Sequence, residues 1–153
     1  NGVQVAPSAR LGGDDAPGMD EIIDRGRVGL AACAVGMSRA ALEVSRDYAK
    51  ERETFGSPIA TRQAIAFKIA DMAIEIDGAR LLAWEAACAL DDGKPAGRLA
   101  ALAYSQARRV ALKVADDSVQ IFGGHGFIRE YLPEMYLRNA AGFTSSFEAL
   151  TLV

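Results

Sequence analysis

Residues 19–52 read MDEIIDRGRVGLAACAVGMSRAALEVSRDYAKER. Apolar side chains recur at Ile22, Leu30, Cys33, Ala34, Met37, Ala41, Leu42, Val44 and Tyr48, the spacing of a helix rather than a strand. Gly29, Ala32 and Gly36 add a face of small residues on which a neighbouring helix approaches closely. This run sets the fold class, because strand-like alternation is almost absent elsewhere in the chain.

Upstream, NGVQVAPSARLGGDDAPG (residues 1–18) is rich in Gly, Pro and Asp and reads as an extended connector, with VQV as a short strand. Downstream, TFGSPIATRQ breaks the helical pattern. Ser57 before Pro58 has the order of an N-cap and a first helical residue. A second helix is therefore expected from Pro58 to Asp91, about 50 Å long at 1.5 Å per residue. Its stripe is Ile65, Ile69, Met72, Ile76, Ala79, Leu82, Ala86 and Leu90. After DDGKP, a third helix runs from Ala96 to Gln120 or slightly beyond, marked by Leu99, Leu102, Ala103, Val110, Leu112, Val114 and Val119. Pro133 opens a last helix of one or two turns or more, and NAAGFTSS weakens it. The expected architecture is all-α: an up-down four-helix bundle over residues 19–153, with long antiparallel helices and short connections.

The 153 residues suit one domain, and half of them are hydrophobic, enough for a core. A net charge of −3 offers no basic field for nucleic acid. No uninterrupted apolar run reaches the roughly 18 residues of a membrane span, and no secretory signal is visible. Cys33 and Cys88 lack metal-site or disulfide-framework spacing and point to a reduced, intracellular protein. Cytoplasmic location is expected, or the mitochondrial matrix in a eukaryote. The first residue is Asn, which suggests a fragment or a processed product.

Two motifs carry chemistry. QIFGGHGFIRE (residues 120–130) ends the third helix in a Gly-Gly-x-Gly cluster. It is either a glycine C-cap or backbone left open for a ligand, and no Gly-Lys-Ser/Thr follows to make it a P-loop. In ERETFGSPIATRQ, Arg52 stands at the first helix break with Phe55 in the turn. It either clamps a phosphate or meets the helix dipole. His125, the single histidine, reads as a solvent-exposed loop residue. Glu51, Glu53 and Glu130 read as solvated charges, Asp91 and Asp92 as turn residues, and no carboxylates have metal-ligand spacing.

Taken together, YAKERETFGSPIATRQAIAFKIADM and, some 45 residues later, VQIFGGHGFIREYLPEMYLRNA resemble the C-terminal helical domain of the acyl-CoA dehydrogenases, nearest the medium- and short-chain type. The resemblance covers residues 3–140. It implies α,β-dehydrogenation of an acyl-CoA thioester to a trans-2-enoyl-CoA, with FAD as hydride acceptor and an electron-transferring flavoprotein as reoxidant. It also implies a homodimer, tetramer or heteromer, and a longer enzyme with two further domains upstream. By resemblance, Gln120, Ile121, Phe122, Gly123 and Gly124 form the flavin-binding loop that reaches a neighbouring subunit's FAD. Arg52 matches the arginine on the FAD diphosphate, with Glu53, Thr54, Phe55 and Gln63 around it. Asp24, Arg25 and Arg27, in DRGR, match the stretch that faces the acyl-CoA.

The base departs from the family pattern. Most members carry it in Tyr-Glu-Gly-Thr, nine residues after the arginine of Arg-Asp-Ala. Here that arginine is Arg138, nine places on is Phe147, and Glu148 is the tenth. A one-residue slip turns a helical side chain by about 100°, so Glu148 serves only if the loop before it absorbs the extra residue. Other members place their glutamate at the position of Gly26. Either Glu148 is the base, or the chain is a non-catalytic relative that completes a partner's FAD site and builds the oligomer. The Gly-Thr that follows the base in the family is Ala149-Leu150 here.

Overall fold

The computed structural model describes residues 2–9 and 18–146. Four helices make the bundle: α1 (Met19–Glu51), α2 (Gln63–Asp91), α3 (Gly97–Phe122) and α4 (Leu132–Ser146). Between α1 and α2 lies a two-residue-stranded hairpin, β1 (Glu53–Thr54) and β2 (Ser57–Pro58), antiparallel with Glu53 opposite Pro58 and Thr54 opposite Ser57. Short 3-10 turns cover Pro7–Ala9, Ile59–Thr61 and Gly123–Phe127.

Side-chain contacts give the helix directions. Asp24 meets Gly97, Ser45 meets Ser118 and Tyr48 stacks on Phe122, so numbering rises together along α1 and α3 and these two run parallel. Lys68 pairs with Asp117 and Glu75 with Arg109, so α2 runs against α3. α4 enters beside the end of α3, returns along it, and buries Ala140 in the core. The result is up-down-up-down, with α3 packed on the other three helices.

The core is built largely of alanine. Ala31, Ala34, Ala41 and Ala49 on α1 meet Ala103, Ala107, Ala111 and Ala115 on α3, with Met72, Val110 and Val114 filling the wider space. Methyl-sized contacts favour close approach of helix axes. They also bury apolar area with no loss of side-chain rotamer entropy.

The buried face of α1 differs from the expected stripe. Ile22 is 53% exposed and Cys33 is exposed, whereas Ser38 and Ser45 are buried. A serine is tolerated there because its hydroxyl bonds the carbonyl one turn back: Ser38 Oγ donates to the Ala34 oxygen at 2.7 Å. Ser45 Oγ lies 2.7 Å from the Ala41 oxygen and 2.8 Å from Ser118 Oγ, so it accepts from Ser118 while donating to the carbonyl. Ser45→Ala leaves the Ser118 hydroxyl unmatched at a dry contact. Urea unfolding should show a loss of about 1–2 kcal/mol, and Ser45→Ala/Ser118→Ala should lose less than the two single changes added together.

Other boundaries also moved. α2 begins at Gln63, not Pro58, because Ser57 and Pro58 pair with β1 and Ile59–Thr61 forms a 3-10 turn. Ser57 is therefore no N-cap; the Arg62 position before α2 has no side-chain cap. Val3–Val5 form no strand. α4 runs 15 residues through the weak stretch. Leu102 and Leu112, expected inside, are 45% and 42% exposed. By length and composition α1 is also apolar enough to cross a membrane. Its alanine face instead lies against α3, as in the core helix of a bundle.

Candidate functional site

At one end of the bundle a cavity of about 380 Å³ opens between the end of α1, the hairpin and the glycine turn. It is lined by Tyr48 and Arg52, by Thr54 and Ile59, and by Ile121, Phe122, Gly123, Gly124 and His125. Two motifs about seventy residues apart in sequence therefore share one wall, as a parallel α1 and α3 of similar length require.

Arg52 is the C-cap of α1. Its backbone is fixed twice: its N–H donates to the Tyr48 oxygen at 2.8 Å, and its own carbonyl accepts from Ile59 N–H at 2.8 Å. Its guanidinium makes no hydrogen bond or ion pair among the described residues and is exposed beside the cavity. A fixed stem carrying an unpaired guanidinium is suited to an anion from outside the domain.

The hairpin tip carries backbone strain. Phe55 has φ +53° and Gly56 φ +81°, the signs of a type I′ two-residue turn. Glycine adopts this freely; phenylalanine at such a φ costs about 1–3 kcal/mol. Yet Phe55 is 96% exposed, with the Arg62 guanidinium 5.4 Å from its ring centroid and Arg62 Nη2 donating to the Thr54 oxygen at 2.9 Å. The strain therefore contributes nothing to the core. Phe55→Asn should raise unfolding stability by about 1 kcal/mol, read as a shifted urea midpoint, while weakening whatever binding uses the ring.

The third wall is the glycine turn. Gly123 has φ +59° and ψ −131°, which side-chain-bearing residues avoid. A Cβ on Gly124 would meet no heavy atom within 4 Å, so the fold itself does not demand glycine there. Behind this surface the rings of Tyr48 and Phe122 stack at 3.9 Å and 13°. His125 stacks on Tyr131 at 5.0 Å and 19°, and His125 Nδ1 lies 2.8 Å from the Tyr48 hydroxyl oxygen. Burial pushes the Tyr48 phenol upward, against the opposing pull of the Arg52 charge, so the hydroxyl keeps its proton.

Of the residues expected at a flavin site, Arg52, Thr54, Ile121, Phe122, Gly123 and Gly124 line this cavity. Glu53, Phe55, Gln63 and Gln120 are exposed and do not line it, and Glu148 lies outside the described residues. His125 is half-buried and hydrogen-bonded rather than an exposed loop residue. Tyr48, taken above as a core position, was the missed neighbour; it lies one helical turn before Arg52, which is the signal that could have found it.

Asp24, Arg25 and Arg27 sit at the other end of α1, about 40 Å away at 1.5 Å per residue. Asp24 and Arg25 line a second cleft of about 470 Å³, with Glu21, Leu90 and residues 93–97. Asp24 is buried; its Oδ1 accepts from Arg27 Nη1 at 3.1 Å. A Cβ on Gly97 would stand 3.2 Å from Asp24 Oδ2, so the carboxylate lies at the N-terminus of α3, where the helix dipole favours an anion. Arg25 pairs with Glu21 at 2.8 Å on the surface.

Residues 18–145 match the family model described as acyl-CoA dehydrogenase, C-terminal domain. The chain is 44% identical over 137 residues to the probable acyl-CoA dehydrogenase YngJ of Bacillus subtilis, covering 88% of this chain and 36% of that protein. It is 42% identical over 122 residues to the caffeyl-CoA reductase-Etf complex subunit CarC of Acetobacterium woodii, covering 80% and 32%. Butyryl-CoA dehydrogenase from Megasphaera elsdenii superposes with a TM-score of 0.81 at 41% identity, over 83% of this chain and 33% of that one. The chain thus spans about a third of the length of the relatives it matches. Helix order, the paired motifs and these likenesses agree, and the chain belongs to the acyl-CoA dehydrogenase family as a match to its C-terminal helical domain.

Proposed function

We propose that this chain supplies half of an FAD clamp, and the oligomer-forming bundle, to an acyl-CoA dehydrogenase. The observation that carries the reading is the shared cavity: Arg52 and Thr54 face Ile121–Gly124 across it. The residues fit an FAD diphosphate. The unpaired Arg52 guanidinium matches its charge, and the open face at Gly124 leaves room for close backbone approach. The exposure of Gln120, Phe55, Glu53 and Gln63 is consistent with contact to a cofactor held by a second subunit rather than one enclosed here.

When bound, FAD supplies the hydride acceptor for oxidation of the Cα–Cβ bond of an acyl-CoA thioester to the trans-2-enoyl-CoA. Glu148 takes the α-proton in this reading; Asp24, Arg25 and Arg27 contact the CoA side. Homo-oligomerisation brings the clamp to the neighbour's FAD. Likeness to a subunit of an Etf complex supports an electron-transferring flavoprotein as the reoxidant.

Glycine at position 26 and Ala149-Leu150 after Glu148 favour a second reading, a non-catalytic subunit that completes a partner's FAD site. One experiment separates the two. The complete protein carrying this chain is mixed anaerobically with butyryl-CoA and the flavin absorbance is followed. Bleaching that disappears in Glu148→Gln supports the catalytic reading. Bound flavin that never bleaches supports the second. A complete protein that takes up no FAD overturns both.

A further inference from the structure

We infer that His125, aligned by Tyr48, is a second hydrogen-bond donor to the anion that Arg52 meets, making the clamp a guanidinium–imidazole pair. The inference rests on the FAD-clamp reading of the preceding section and adds a binding residue and its positioning partner to it.

Three observations converge. First, His125 and Arg52 line the same cavity from opposite elements, α1 and the turn after α3. Secondly, the ring is held on two sides. Tyr131 stacks on it at 5.0 Å, and the Tyr48 oxygen is 2.8 Å from Nδ1. Tyr48 is itself locked by stacking on Phe122, so the imidazole orientation is set by packed rings and not by loop position. Thirdly, the geometry accommodates a donor facing outward. The Tyr48 hydroxyl is within donating distance of Nδ1 at 2.8 Å, and the tautomer that accepts there carries its proton on Nε2, across the ring. Nε2 makes no hydrogen bond among the described residues, and His125 is only half-buried. A pre-aligned N–H donor with no internal partner, beside an unpaired guanidinium, suits a group with several anionic oxygens, such as a diphosphate.

The test is FAD affinity, measured by titrating the complete apoprotein with FAD and following flavin fluorescence. His125→Phe keeps the stack on Tyr131 and removes the donor; it should raise the dissociation constant about tenfold. His125→Gln, which restores an amide donor at similar reach, should recover most of that loss. Tyr48→Phe keeps its stack on Phe122 and frees the imidazole tautomer; it should raise the constant about threefold. Added to His125→Phe, it should change nothing further, and this double variant also avoids an unmatched hydroxyl if the single change folds poorly. Arg52→Ala is the reference. If it weakens FAD while His125→Phe and the double variant bind as the parent does, the imidazole donor is ruled out and the clamp stands. If His125→Phe weakens FAD and Gln recovers nothing, a hydrogen-bond donor is not what position 125 contributes and the donor role fails. If Arg52→Ala also binds FAD normally, the clamp reading itself is overturned.

Discussion

Replacing Arg52 with alanine is expected to raise the FAD dissociation constant of the complete protein by about ten- to a hundredfold, with little change in unfolding stability. The first half follows from charge. Hydrogen bonds between a guanidinium and phosphate oxygens are worth about 1.5–3 kcal/mol, and each 1.4 kcal/mol is a factor of about ten. The second half follows from geometry. The side chain is exposed and has no partner among the described residues, so removing it orphans nothing inside the domain. The backbone bonds that hold position 52, to Tyr48 and Ile59, survive the change. Arg52→Lys should recover only part of the affinity, because an ammonium keeps the charge but loses the planar pair of donors. Equilibrium titration with FAD and urea unfolding of the same samples give both numbers. A parallel loss of stability and affinity would make Arg52 a structural C-cap residue and remove it from the clamp.

The sequence disclosed its long elements and concealed its short ones, for physical reasons. α2 and α3 were readable because Met72, Ile76, Ala79 and Ala86, or Ala103, Val110 and Val114, repeat on one face over many turns. α1 was readable as a helix but turned the wrong way. Its true inner face is alanine and serine, which a hydrophobic pattern scores weakly, while Ile22 and Cys33 face out. The hairpin was hidden because two-residue strands leave no alternation, and the Ser57-Pro58 pair imitates a helix start. The two halves of the cavity were joined by resemblance rather than by spacing. His125 was misjudged because its partner, Tyr48, is 77 residues away, and nothing local in GGHGF signals that hydroxyl. In the DRGR stretch, which resemblance places toward an acyl-CoA, the pairing of Asp24 with Arg27 beside the first residue of α3 was equally hidden, because Gly97 is remote in sequence.

The glycines of the turn are not equivalent, and Gly126 is the one whose change should damage the fold. A Cβ there would stand 2.5 Å from the Val119 carbonyl oxygen and 2.9 Å from the Val119 Cα. Both are backbone atoms of the last turns of α3, so no side-chain rotation relieves the clash. Either the turn or the helix end must move, and Val119 is fixed because it is buried and its carbonyl caps the helix through Gly123 N–H. Gly126→Ala should therefore destabilise the domain by about 3 kcal/mol, at the upper end of overpacking effects. FAD affinity should fall with it, since the displaced segment carries Gly123, Gly124 and His125. Gly124→Ala supplies the contrast. Its Cβ would enter open space at an unstrained backbone, so stability should stay within about 0.5 kcal/mol. Its methyl group would instead occupy the face open to the cofactor and lower FAD affinity alone. Urea midpoints and FAD titrations on the two variants separate a glycine kept for packing from one kept for approach. Equal stabilities would show that the close contact behind Gly126 does not hold the turn in place.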